Sequence, residues 1–106
     1  IEHYNPSQNL KVIVFEKLGN ATTNNSLQIT LNRYNYELKN SDTGNIFIAD
    51  GIEGLNNPKD SLVLESWLSN DTLEINYPPS FRTLKMEEML ETEFGKVIIK
   101  YDDSSK

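Results

Sequence analysis

The chemistry this chain could perform is limited first by what it lacks. There is one histidine, His3, and no cysteine. That removes zinc sites built from His and Cys, and it removes histidine-relayed Ser or Cys catalysis. His3 lies near a polar terminus and reads as a solvent-exposed bystander, because a general base needs a partner within reach. The densest carboxylate cluster is Glu87, Glu88, Glu91 and Glu93. On a helix Glu87 and Glu91 would share a face. Carboxylates can hold calcium, but calcium loops set their oxygen ligands on a tight turn, often around a glycine. This run is helix-prone instead and reads as a solvated charged face.

Asp50-Gly51 and Asp42-Thr43-Gly44 resemble fragments of ion-binding or phosphate loops. Neither extends to a full motif, and turn chemistry accounts for both. Glycoside hydrolysis needs two carboxylates ~5–10 Å apart across a cleft. Among 16 acidic residues such a pair arises by chance. Asn20, Asn24 and Asn70 each begin an N-x-Ser/Thr sequon, which chance also produces in an asparagine-rich chain. No residue is assigned to catalysis, to a metal or to a cofactor, and the chain is read as a non-enzyme.

The aromatics point towards contact rather than reaction. Trp67, Tyr34, Tyr36, Tyr77, Phe81 and Tyr101 could form a stacking surface for a sugar or a partner protein. Trp and Tyr are enriched at binding hot spots, although strands favour aromatics in any case. Trp67 is the candidate contact residue.

The elements that position these side chains centre on Ser61–Tyr77, SLVLESWLSNDTLEINY. Asn70-Asp71 suits a tight turn, since both residues tolerate left-handed backbone angles. Folding there pairs Leu68 with Leu73, Ser66 with Ile75 and Leu64 with Tyr77. Trp67 then meets Glu74, and Glu65 meets Asn76, on the opposite face. Strand side chains alternate between faces, so this register gives one apolar face and one wet face that carries Trp67. If that second face is also covered, Trp67 becomes a core residue. Pro78-Pro79 ends the hairpin, because proline cannot donate to a ladder.

Before it, residues 1–9 are polar and turn-rich, with a turn at Asn5-Pro6-Ser7. Leu10–Leu18 is apolar on both faces, as a central strand covered on both sides should be. Gly19–Ser26 is a polar loop. Leu27–Arg33 alternates as a half-buried strand. Lys39–Asn45 is a turn and Ile46–Asp50 a short apolar strand, which as an exposed edge could pair two copies. Gly51–Asp60 is a loop. After the prolines, Phe81–Met86 is a further strand. In Met86–Phe94, Met86, Met89, Leu90 and Phe94 approximate a helical spacing, so one short helical turn competes with a loop near 86–94. Lys96–Tyr101 is the last strand, and the residues from Asp102 to Lys106 fray.

The pattern predicts an all-β single domain over 1–106, with 1–9 and 102–106 frayed. It has about seven short antiparallel strands in a sandwich or strongly curled sheet. The formal net charge is −6. Residues 1–50 carry four Lys/Arg against five Asp/Glu, and residues 51–106 carry six against eleven. An acidic chain without a basic stripe argues against nucleic acid and against docking on an anionic membrane. No apolar run approaches the ~20 residues of a membrane span. The chain begins at Ile1 rather than Met, which suggests that an export signal or lipid anchor was trimmed.

Several stretches form one pattern: Asn5-Pro6-Ser7, Lys11 to Phe15, Gly19-Asn20-Ala21-Thr22-Thr23, Ser26 to Ile29, Gly44 to Gly51, Trp67 to Pro78, and Arg82 with Lys85. Together they resemble a family of small uncharacterised bacterial proteins, found mainly in Gram-positive species. Its members carry a membrane anchor or lipoprotein signal before one such domain of unknown function. The resemblance spans most of residues 5–101. Asn20 interrupts the family's Gly-Ala-Thr-Thr, and the acidic Glu87–Glu93 segment is longer than the family's. It implies an extracytoplasmic location, anchored through a preceding segment, and no chemistry. The expectation is a non-enzymatic, secreted or membrane-anchored binding domain of a bacterial cell envelope, engaging an unknown protein or envelope component. Its contacts would come from Gly19–Ser26, Gly51–Asp60 or the face around Trp67. The alternative is a cytoplasmic acidic interaction or immunity-type protein that blocks a partner.

Overall fold

Alternating apolar residues drive the chain into strands that stack as two layers. The computed structural model describes residues 2–19, 25–50 and 66–102. These form nine strands and no helix: β1 Glu2–Tyr4, β2 Leu10–Lys17, β3 Ser26–Arg33, β4 Phe47–Asp50, β5 Ser66–Ser69, β6 Thr72–Asn76, β7 Arg82–Met86, β8 Met89–Thr92 and β9 Gly95–Asp102. One sheet has the order β1-β2-β3-β4-β7 and the other β5-β6-β9-β8. The inner rows meet as one core. Leu10, Val12 and Val14 of β2, Leu27, Ile29 and Leu31 of β3, and Phe47 and Ala49 of β4 face Leu73 and Ile75 of β6 and Val97 and Ile99 of β9. Strand β2 is also buried on its second face at Lys11 and Ile13, as its doubly apolar sequence requires.

The all-β sandwich is as expected, with nine strands rather than about seven and with Asp102 paired to Asn76 rather than frayed, and four further details differ. Glu2–Tyr4, expected to fray, pairs with β2 from Glu2↔Ile13 to Tyr4↔Lys11. The stretch β4 is not an edge, since it lies between β3 and β7. The 86–94 region is not helical: Leu90 pairs with Val97 in a β8–β9 hairpin. Helix propensities differ by tenths of a kcal/mol per residue, so a ladder that packs Leu90 against the core outweighs them. Finally, β6 and β9 run parallel, from Thr72↔Ile98 to Asn76↔Asp102. After Pro78 the chain crosses to the opposite sheet as β7 and returns as β8. That connection is long enough to reverse direction twice, which a parallel pair requires.

The central hairpin is also corrected. Its turn is Asn70-Asp71, and Ser69 faces Thr72 as expected. Beyond that a bulge shifts the register, so Trp67 opposes Leu73 and Ser66 opposes Glu74. The extra residue is Leu68, which is 54% exposed. The bulge turns the larger apolar group inward, because indole burial removes more area from water than leucine burial. The pairs Leu64–Tyr77 and Glu65–Asn76 lie outside the described residues, as do the Asn20 and Asn24 sequons, the Gly51–Asp60 loop and residues 103–106.

Gly44 marks a close approach of two backbone segments. A Cβ there would sit 2.5 Å from the Phe47 carbonyl oxygen and 2.9 Å from that of Ile29. Both belong to paired strands that cannot retreat independently. Gly44→Ala is expected to cost about 1–3 kcal/mol, the range for overpacking. The check is a lowered urea midpoint at unchanged slope.

Candidate functional site

The residues singled out for chemistry are dispersed by the fold and occupied structurally. Asp50 lies in β4 rather than in a turn. Its buried carboxylate takes the fork of Arg82 from β7, with Nε at 2.8 Å and Nη2 on the second oxygen. Asp42 accepts hydrogen bonds from the Tyr36 hydroxyl and the Lys39 amide, both at 2.7 Å, as a turn residue should. Those bonds, led by Tyr36, hold its carboxyl below the usual range, and the same contact raises the Tyr36 phenol. His3 is exposed on β1, and its carbonyl accepts from the Trp67 indole at 3.3 Å. Trp67 is therefore not on the wet face. Half-buried, it packs against the core and ties the edge of one sheet to the edge of the other.

The carboxylate cluster is spread along β8. Glu87 and Glu88 form the β7–β8 connection, Glu91 opposes Lys96, and Glu93 lies in the β8–β9 turn. Because β8 is extended, Glu87 and Glu91 do not share a helix face. Among the described residues no group of three or more His, Cys, Asp or Glu is arranged to hold a metal ion.

A concave site does form where β8 crosses the ends of β2 and β3. It encloses about 330 Å³. Leu10 and Leu31, both almost fully buried, close its base, half-buried Leu90 supplies its open apolar surface, and its rim carries Asn32, Arg33 and Glu93. Asn45 holds the β3 end open to the cleft. Its amide donates to the Leu31 carbonyl at 2.8 Å and accepts from the Leu31 N–H at 2.7 Å, taking the place of a neighbouring strand. Arg33 meets Glu93 across the rim at 3.5 Å. Both side chains are about half exposed, so the pair is weak and can be displaced. A second hollow of about 600 Å³ borders the other end of β8 at Met86, Glu88, Met89 and Tyr101. Burial, followed by the charges of Glu87 and Glu88, pushes the Tyr101 phenol well up. It stays a neutral donor there, directed at the carbonyls of Glu87 (2.6 Å) and Ile46 (3.0 Å).

The sequence pointed to Trp67 and to the loops, and it missed this cleft. Leu10, Leu31 and Leu90 read only as strand residues, and nothing local brings 10, 31 and 90 together. What the arrangement can do is bind: an apolar floor beneath a polar rim suits a partner with both characters. No family model, curated protein or solved structure matches the chain.

Proposed function

We propose that this chain is a non-enzymatic binding domain that takes an extended segment of a partner protein in the cleft between β8 and the ends of β2 and β3. The observation that carries this is the apolar floor of Leu10, Leu31 and Leu90 opening beside the outer edge of β8. The single histidine and the absence of cysteine support a binding role over catalysis. An extracytoplasmic, envelope-anchored setting rests on the sequence resemblance of residues 5–101 alone. A cytoplasmic acidic blocker using the same cleft is the second reading, favoured by the net charge of −6. Fractionation of the producing cell, with external protease, separates the two settings.

The cleft itself is tested by selecting random peptides on the immobilised protein. Thr92 lines the cleft on the same side of β8 as Leu90, so Thr92→Arg places a long charged side chain over the floor and should weaken the selected peptides by at least about tenfold while the fold is retained. Lys39→Ala, on the β3–β4 connection away from β8, should leave them unchanged. Peptides indifferent to Thr92→Arg would remove the cleft from consideration.

A further inference from the structure

The four sheet edges are not alike. Exposed edges invite pairing with another chain, and proteins blunt them by shortness, bulges or charge. Strand β1 has three residues. Strand β5 is bulged at Leu68. Strand β7 is bulged between its pairs with Ile48 and Ala49, which leaves Leu84 56% exposed. Strand β8 alone keeps four consecutive pairs without a bulge, from Met89↔Ile98 to Thr92↔Gly95. Among the described residues no strand pairs with its other side.

The ladder also fixes which backbone groups are open. The Ile99 amide donates to the Glu88 carbonyl at 2.9 Å. Antiparallel bonding alternates, so Leu90 and Thr92 also bond towards β9, and Met89 and Glu91 present N–H and C=O to the free side. The two hollows border this same strand, one at each end.

Charge completes the description. Residues 87–93 carry four glutamates and no Lys or Arg. Glu93 meets Arg33, while among the described residues Glu87 and Glu88 make no ion pair. Two copies meeting edge to edge would bring these carboxylates together, which opposes self-pairing.

We infer that the free edge of β8 accepts an extended basic segment of a partner protein as an added strand, its residues alternating apolar and Lys or Arg. The apolar side chains enter the cleft over Leu10 and Leu31, and the basic ones lie on the outer face near Glu91 and Glu87. Main-chain bonds to Met89 and Glu91 hold the register, as in other strand additions. This inference rests on the cleft reading and adds the geometry and the charge of the occupant.

The test uses the full chain and fluorescent peptides of about eight residues, the length of a strand. They are alternating Val-Lys, Val-Ser, Val-Glu and Gly-Lys, and a Val-Lys peptide N-methylated at alternate amides. Val-Lys should bind by polarisation, at least about tenfold tighter than Val-Glu, and more weakly as salt rises. Gly-Lys, with equal charge and no apolar face, should bind poorly. One of the two N-methylation phases should abolish binding. Glu91→Pro removes an edge-facing N–H together with one carboxylate, at a position where strands tolerate proline, and should abolish binding, whereas Glu91→Gln removes the charge alone and should only weaken Val-Lys. Equal binding of Val-Lys and Val-Glu would overturn the basic partner. Full binding of both N-methylated phases would overturn strand addition. If Val-Ser binds as well as Val-Lys and is lost in Thr92→Arg, the cleft reading survives and this inference fails. If no peptide binds, both fall. A stable dimer in sedimentation that is broken by Glu91→Pro would assign the edge to a second copy instead.

Discussion

Phe47→Ala is expected to destabilise the domain by about 3–5 kcal/mol, the range for emptying a buried phenylalanine site. Phe47 is fully buried in β4, in the interior of the larger sheet. Its ring reaches across the sandwich to Tyr77 at 5.6 Å and to Tyr101 at 6.0 Å between centroids. The substitution therefore empties the junction of the two layers. It also loosens Tyr101, whose hydroxyl is held by carbonyls on the β3–β4 and β7–β8 connections. Backbone on both sides limits collapse into the cavity. Urea unfolding should show a much lower midpoint at similar slope. Phe47→Leu fills part of the volume and should cost less than half as much. A loss below about 1 kcal/mol for Phe47→Ala would mean that the site collapses and that the ring does not hold the layers together.

Asn5→Ala is expected to cost about 2–4 kcal/mol, an unusual loss for a polar residue in a turn. Asn5 is 2% exposed. Its Oδ1 accepts from the amides of Asn9 (3.0 Å) and Leu10 (3.1 Å). Its Nδ2 donates to the Asn9 side chain (2.7 Å) and to the Asn70 carbonyl (3.2 Å) in the turn of the other sheet. The Ser7 backbone N–H also donates a hydrogen bond to Asn70 Oδ1 at 2.8 Å. Alanine leaves the buried Leu10 amide without its Asn5 acceptor and cuts a tie between the sheets. Asn5→Asp keeps an acceptor for the two amides, yet it turns a second oxygen towards two acceptors, so it should not rescue. Hydrogen exchange should show opening at both the β1–β2 and β5–β6 turns. Opening at the first alone would mean that the contact to Asn70 contributes little.

The two variants illustrate what local sequence reveals. The strand nature of 10–17, 26–33 and 95–102 is legible because alternation of apolar side chains is a short-range property. The Asn70-Asp71 turn and the chain break at Pro78-Pro79 are legible for the same reason, since each follows from backbone preferences of the residues themselves. From these alone the domain is all-β, with its core on the alternating faces.

The tertiary structure decided the rest, because the deciding contacts join residues far apart in the chain. Trp67 and Leu68 compete for the same inward position, and only the opposing layer makes burial of the indole worth a bulge. The helix-prone Met86–Phe94 segment becomes β8 because β9 supplies partners for its amides. Asn5 reads as an ordinary turn residue until the Asn70 turn arrives beside it. The cleft over Leu10, Leu31 and Leu90 exists only once β8 has crossed the ends of β2 and β3, so no stretch of sequence carries its signature. Composition and periodicity determined most of the strand segments; β1, β8, the sheet order, the register and the free acidic edge were set by which segments could bury the most side chain together.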